Sequence, residues 1–162
     1  MARITLKDSG VVFDKANHTY ELNGKMLQGI VVTDSGTYYY TNGKKGGVNA
    51  GLTKVGEDYY FVASNGRCAT GSYYAWATNC DLPVGNYEFG ADGKMLQGIV
   101  EMADGIYCYV NGQLGGKGAG LHKIGEDYYF FNAGNGVMWR SKTLWVSGNN
   151  PYGVASGYYD FQ

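Results

Sequence analysis

Several common ingredients are scarce in this chain. Proline occurs only twice in 162 residues, at Pro83 and Pro151, and histidine only twice, at His18 and His122. Cysteine occurs three times, at Cys68, Cys80 and Cys108, and an odd number argues against a complete disulfide framework. Pairing of Cys68 with Cys80 stays open at this stage. Neither sign of charge dominates: 13 lysines and arginines face 14 aspartates and glutamates, for a net charge of -1. That balance leaves no basic face for nucleic acid. No apolar run reaches the roughly 18–20 residues that span a bilayer, so no membrane insertion is expected. The opening MARITLKDSGVVF lacks the apolar core of a signal peptide. The expectation is a protein that is cytoplasmic, carried on a virus particle, exported unconventionally or cut from a longer chain. Helical periodicity is missing too, and glycine is too frequent for long helices, at about 1 kcal/mol each against alanine.

What the chain has is glycine and tyrosine, 27 and 16 residues respectively. Glycine is enriched more than twofold over the usual content of about 7%. With so little proline, this composition points to tight turns joining short aromatic strands. Internal repetition is the strongest signal. The segment from Gly24 to Val31, GKMLQGIV, recurs unchanged from Gly93 to Val100, and GEDYYF from Gly56 to Phe61 recurs from Gly125 to Phe130. These matches lie 69 residues apart and imply a duplicated unit. The expected division is a lead segment 1–17, a first unit 18–86 and a second unit 87–162 that ends in a partial repeat.

Each large unit holds smaller ones. Aromatic triplets such as Tyr38-Tyr39-Tyr40, Tyr59-Tyr60-Phe61, Tyr107-Cys108-Tyr109 and Tyr128-Tyr129-Phe130 each precede an Asn-Gly pair. Tyr87-Glu88-Phe89 precedes Asp92-Gly93, and Tyr20-Glu21-Leu22 and Tyr159-Asp160-Phe161 look like leading and trailing copies. Asn-Gly and Asp-Gly supply the positive φ angles of two-residue hairpin turns, and the aromatics favour strands. The fold class read from this pattern is all-β, a β-hairpin repeat solenoid of two homologous units of about 69 residues. Alternation along a strand places the first and third members of each triplet on one face, the expected shared core. The opposite face, carrying Thr37 and Tyr39, Asp58 and Tyr60, Ile106 and Cys108, and Asp127 and Tyr129, is expected to be open to solvent or ligand. Two longer connections, Gly71 to Gly85 and Arg140 to Gly157, interrupt the rhythm. Each carries a proline and a tryptophan, Trp76 and Trp145, which read as matching positions.

Catalytic constellations are hard to assemble. Neither histidine lies in a metal-spaced cluster, and His122 reads as a solvated strand residue. Glu57-Asp58 and Glu126-Asp127 are the best carboxylate pairs, but strand neighbours point to opposite faces and cannot flank one bond. Gly46-Gly47 and Gly115-Gly116 lack the Lys-Ser/Thr of a phosphate loop. No enzyme, metal or cofactor is expected. The candidate ligand-binding residues are Tyr39, Tyr60 and Tyr129, with Asp58 and Asp127 beside two of them, then Trp76 and Trp145.

The units GEDYYFVASNGRCATG and NYEFGADGKMLQGIV resemble the cell-wall-binding repeats of Gram-positive bacteria, which include choline-binding modules, glucan-binding repeats and the repetitive region of large clostridial toxins. The resemblance covers the chain from about residue 18 onward. It implies a solenoid of hairpins whose neighbours form shallow aromatic pockets. In choline-binding members a tryptophan before the aromatic pair helps cage a quaternary ammonium. Here Thr37, Asp58, Ile106 and Asp127 hold those positions, which argues against such a cage. Sugar binding fits better, because aromatic rings stack on sugar faces and carboxylates accept hydroxyl hydrogen bonds. The leading expectation is a non-catalytic module whose partner is a glycan or cell-wall polymer. The alternatives are a structural or receptor-binding part of a phage particle, with self-association, and an intracellular inhibitor with a protein partner.

Overall fold

Turn chemistry sets the architecture. At Asn23-Gly24, Asn42-Gly43 and Asn111-Gly112 both residues have positive φ, between 47° and 75°, so these pairs form two-residue hairpin turns that match the strand twist. At Asn65-Gly66, Asp92-Gly93 and Asn135-Gly136 only the glycine is positive. There the Asn or Asp carboxamide or carboxylate oxygen accepts the backbone N–H two residues on, at 3.0, 3.0 and 3.2 Å respectively. The same dipeptide therefore serves two turns, and the second is a longer loop pinned by its own side chain.

The structure, a computed structural model, describes residues 3–5, 10–114 and 119–162. The chain divides into two compact units, Met1–Met95 and Leu96–Gln162. The first holds β1 (Ile4–Thr5), β2 (Val12–Asp14), β3 (Thr19–Leu22), β4 (Lys25–Met26), β5 (Gly29–Thr33), β6 (Gly36–Thr41), β7 (Lys44–Lys45), β8 (Gly51–Val55), β9 (Asp58–Val62), β10 (Gly71–Ala75) and β11 (Gly85–Phe89). The second holds β12 (Gly98–Met102), β13 (Gly105–Val110), β14 (Gln113–Leu114), β15 (Gly120–Ile124), β16 (Asp127–Phe131), β17 (Met138–Trp139), β18 (Lys142–Val146) and β19 (Gly157–Phe161). No α-helix occurs among the described residues. The all-β hairpin-repeat class is as expected. Each repeat is an antiparallel hairpin, and most add a short third strand, as in β5-β6-β7, β12-β13-β14 and β15-β16-β17.

The two longer connections are not interruptions. Each contains the first strand of a further hairpin. Gly71 pairs with Phe89 and Ala75 with Gly85 in β10–β11, while Lys142 pairs with Phe161 and Val146 with Gly157 in β18–β19. Only their tips, 76–84 and 147–156, are long. No Asn-Gly pair marks the tip of either hairpin.

Packing alternates between faces within the first unit. The first-and-third face of β6 meets β3: Val31 and Tyr40 are buried with Tyr20, Leu22 and Tyr38 packed against them. The opposite face of β6 meets β9, burying Ile30, Tyr39, Tyr60, Val62 and Cys68 together. The first-and-third face of β9 then meets β10–β11, burying Leu52, Tyr59, Phe61, Ala75, Tyr87, Phe89 and Met95. Hairpins β5–β6 and β8–β9 are thus covered on both sides. A single hairpin buries too little to persist in water, so each is held by its neighbours. In the second unit the second face of β13 meets that of β16 around Cys108, Phe131 and Met138.

Backbone hydrogen bonds join neighbouring hairpins. Tyr39 N–H donates to Gly66 O at 2.8 Å and Cys68 N–H to Thr37 O at 2.8 Å. The second unit repeats the first of these as Cys108 N–H to Gly136 O at 2.9 Å. Gly66 has φ +82°, and a Cβ there would stand 2.3 Å from Gly46 N and 2.9 Å from Tyr39 O. Only glycine allows this close approach.

Candidate functional site

Which aromatics face solvent follows from the stacking. Tyr39 and Tyr60 are 7% and 1% exposed, so the expectation that their face lies open is corrected for both. The face is covered because the neighbouring hairpin meets it. Thr37 is buried on the same face, its hydroxyl donating to Asp92 O at 2.8 Å, and Cys108, the equivalent of Tyr39 in the second unit, is buried too. Burial pushes the Cys68 thiol up to about 12. All three cysteines are free thiols. Asp58 is half-buried and forms an ion pair with Lys94 at 2.9 Å. Tyr129 is half-buried against the Cys108 cluster, whereas Asp127 is exposed. His122 is not solvated as expected. Its Nε2 lies 3.6 Å from Cys108 Sγ, and its ring meets Phe131 edge-on at 5.4 Å.

The open aromatic faces belong instead to the two long-tipped hairpins. Tyr74 and Trp76 are 55% and 56% exposed, and Trp145 and Tyr158 are 54% and 74% exposed. Strand register shows that Trp76 and Trp145 are not equivalent. Gly71 corresponds to Lys142 and Ala75 to Val146, which matches Trp145 with Tyr74. Trp76 stands just beyond β10, two residues from Tyr74, and rests edge-on against Phe61 at 5.6 Å. Trp145 pairs across the ladder with Tyr158, ring centroids 5.1 Å apart and planes at 71°.

Beside each aromatic group sits a hydroxyl–carboxylate couple. Ser72 lies opposite Glu88 and its hydroxyl donates to that carboxylate. Thr143 lies opposite Asp160 and donates to Oδ1 at 2.6 Å. Alternation puts Ser72 on the same face as Tyr74, and Thr143 on the same face as Trp145. Each couple leaves a second carboxylate oxygen and the hydroxyl lone pairs able to accept hydrogen bonds. On their inner faces both hairpins are anchored alike: Tyr87 hydroxyl donates to Pro83 O at 2.7 Å, and Tyr159 hydroxyl to Ala155 O at 3.0 Å. Both faces offer a flat apolar ring with polar acceptors two residue pairs along the ladder. Among the described residues no group of three His, Cys, Asp or Glu is placed to hold a metal ion.

Of the exposed aromatics on these two hairpins the sequence pattern points to Trp76 and Trp145, and not to Tyr74, Tyr158 or the neighbouring acids Glu88 and Asp160. A signal for the acids existed. In Tyr87-Glu88-Phe89 and Tyr159-Asp160-Phe161 the middle residue is a carboxylate, where the double-covered hairpins have tyrosine.

No family model matches the sequence, and no curated protein matches it. Solved structures do resemble it. CbpJ from Streptococcus pneumoniae TIGR4 is 24% identical, with a TM-score of 0.45 over 94% of this chain and 49% of that one. Choline binding protein F from Streptococcus pneumoniae, solved in the presence of a peptidoglycan analogue, is 21% identical, with a TM-score of 0.43 over 86% of this chain and 47% of that one. A pneumococcal cell wall endolysin from phage Cp-1, complexed with choline, is 20% identical, with a TM-score of 0.36 over 78% of this chain and 36% of that one. The chain thus spans about half the length, or less, of these proteins.

Proposed function

We propose that this chain is a non-catalytic binding module for a carbohydrate or bacterial cell-wall polymer. The observation that carries this reading is the pair of open faces on β10–β11 and β18–β19. Large aromatics are costly to leave in water, yet Tyr74, Trp76, Trp145 and Tyr158 each keep more than half their surface exposed. Tyr74, Trp145 and Tyr158 stand on strands held by ladders of five residue pairs. A sugar ring presents an apolar face to stack on Tyr74 or Trp145, and its hydroxyls donate to Glu88 or Asp160. Binding at one face is weak, and a polymer that engages both gains by avidity.

The test is retention of the purified protein on Gram-positive cell walls, with free sugars and choline as competitors. Release by a sugar supports the reading, and Trp145→Ala should then weaken retention about tenfold, equivalent to the ~1.4 kcal/mol of a good aromatic contact. Release by choline alone assigns the faces to a quaternary ammonium instead. Failure to bind cell walls or a broad set of glycans overturns the proposal.

A further inference from the structure

The chain turns back along its own strand after β9 and again after β16, and the two return segments carry different side chains. In the first unit Ala63 N–H donates to Arg67 O at 2.8 Å and Ala69 N–H to Phe61 O at 2.9 Å, with Val62 bridged to Cys68 between them. Alternation therefore puts Phe61, Ala63, Arg67 and Ala69 on one face. In the second unit Asn132 N–H donates to Val137 O at 2.9 Å, and Phe130 pairs with Trp139. Val137 thus stands in the place of Arg67, and Trp139 in the place of Ala69. The Trp139 ring meets that of Phe130, centroids 6.2 Å apart.

Where the second unit has an indole, the first has the methyl group of Ala69, and a cavity of about 290 Å³ opens beside it. Its apolar wall is half-buried Tyr73, whose ring lies 4.6 Å from that of buried Phe61. Its polar rim is made of donors. Asn65 Oδ1 is already taken by Arg67 N–H at 3.0 Å, which leaves the Asn65 amide hydrogens free to donate, beside the Thr70 hydroxyl and the Arg67 guanidinium. Among the described residues no carboxylate lines the cavity. Arg67 is exposed, its guanidinium runs alongside Gly36, and it has no ion-pair partner among the described residues. None of the residues of the two outward faces lines this cavity, and Trp76 approaches it only through its edge contact with Phe61.

We propose that this cavity of the first unit is a second binding site, and that it takes a sugar ring bearing a carboxylate. The ring rests on the carbohydrate reading above, and the charge rests on Arg67. The apolar face of the ring packs on Tyr73. The carboxylate accepts from the Arg67 guanidinium, whose planar fork matches two oxygens. Asn65 and Thr70 donate to the remaining ring oxygens. One guanidinium balances one carboxylate, whereas a phosphate monoester would bring roughly -1.5 to -2 charges against it. The outward faces have the opposite character, because Glu88 and Asp160 repel an acidic ring and accept from a neutral one. The chain therefore separates acidic from neutral rings by place.

The probes are the methyl glycosides of glucuronic, galacturonic and mannuronic acid, titrated into the full chain by NMR, with methyl glucoside and a glucose phosphate for comparison. At least one uronide should give saturable shifts at Arg67, Ala69 and Tyr73 and bind about tenfold more tightly than methyl glucoside. Arg67→Val should remove that preference, and Ala69→Trp should remove binding. Each substitution copies the residue that the second unit carries at the same place, and Arg67 is exposed, so Arg67→Val keeps the fold. The Trp145 indole reports the outward face in the same titration. Uronide shifts confined to Trp76 and Trp145 would overturn this site while leaving the carbohydrate reading intact. Absence of saturable binding by all three uronides, a preference that survives Arg67→Val, or equal or tighter binding of the neutral glycoside or the phosphate would overturn it as well.

Discussion

Hairpins β8–β9 and β15–β16 share the six residues GEDYYF, yet they live in different surroundings. Tyr59 is 9% exposed and Tyr128 40%. Asp58 is ion-paired to Lys94, while Asp127 faces water. Tyr59 hydroxyl donates to Asp81 at 3.0 Å, whereas Tyr128 meets the edge of Tyr152 at 6.0 Å and the Lys123 ammonium at 5.7 Å. The strands themselves are alike, so the difference comes from what packs on them. In this architecture a tyrosine becomes core or surface according to its neighbour, and in the first unit Met95 is buried in the packing of β8–β9 on β10–β11.

That contrast can be broken most directly at Met95. Met95→Ala should destabilise the first unit by about 2–5 kcal/mol, the usual cost of emptying a buried site, in urea unfolding. Leu121→Ala, at the half-buried equivalent of the fully buried Leu52, should cost well under half of that. Equal losses would mean that the two sites are equally buried in solution.

Alkali should act next. Burial raises the Tyr60 phenol above its ordinary value of 10.0, with Asp58 and Asp92 adding to the rise and Arg3 opposing it. The folded chain therefore keeps this proton when the unfolded chain has lost it. The stabilisation is complete below pH 10 and is lost as pH climbs through the raised folded value. Melting temperature measured from pH 8 upward should fall above pH 10 in the parent, and less steeply in Tyr60→Phe. An identical slope in both would refute the assignment.

Thiol labelling sharpens the same contrast. Cys68, buried and pushed up to about 12, should resist iodoacetamide at pH 8, while half-buried Cys80 reacts. In Met95→Ala, Cys68 labelling should accelerate as the first unit opens more often, read by mass spectrometry. The smallest effect is expected at Lys94. Its side chain is 42% exposed, so Lys94→Ala should cost no more than about 1 kcal/mol in the same urea experiment.

The hairpins and their turns were legible in the sequence because Asn-Gly and aromatic alternation are local features. Asn42-Gly43 and Asn111-Gly112 sit at two-residue turns for the reason that makes them recognisable. The environment of each face was not legible. Period-two alternation sorts Tyr39 from Tyr38 and Tyr40, but it does not say whether one face or both will be covered. Hairpins β10–β11 and β18–β19 were hidden for a different reason: their tips span 76–84 and 147–156, so no short turn marked them. Trp76 looks equivalent to Trp145 at a constant offset of 69 residues, but the segments before the two hairpins, 63–70 and 132–141, differ in length, so that offset fails before β10 and β18 begin. Glu88 and Asp160 carried a usable clue, since a carboxylate in the middle of an aromatic triplet marks a face that stays wet.

The bonds between Tyr39 and Gly66, and between Cys108 and Gly136, run from main chain to main chain. A repeat joined in this way is indifferent to most of the side chains that decorate it. Drift can replace triplets, tips and surface charges, provided a glycine returns at the point of closest approach. Such arrays can therefore diverge far in residue identity while keeping their spacing, and ligand preference can be rewritten on the outward faces without rebuilding the scaffold.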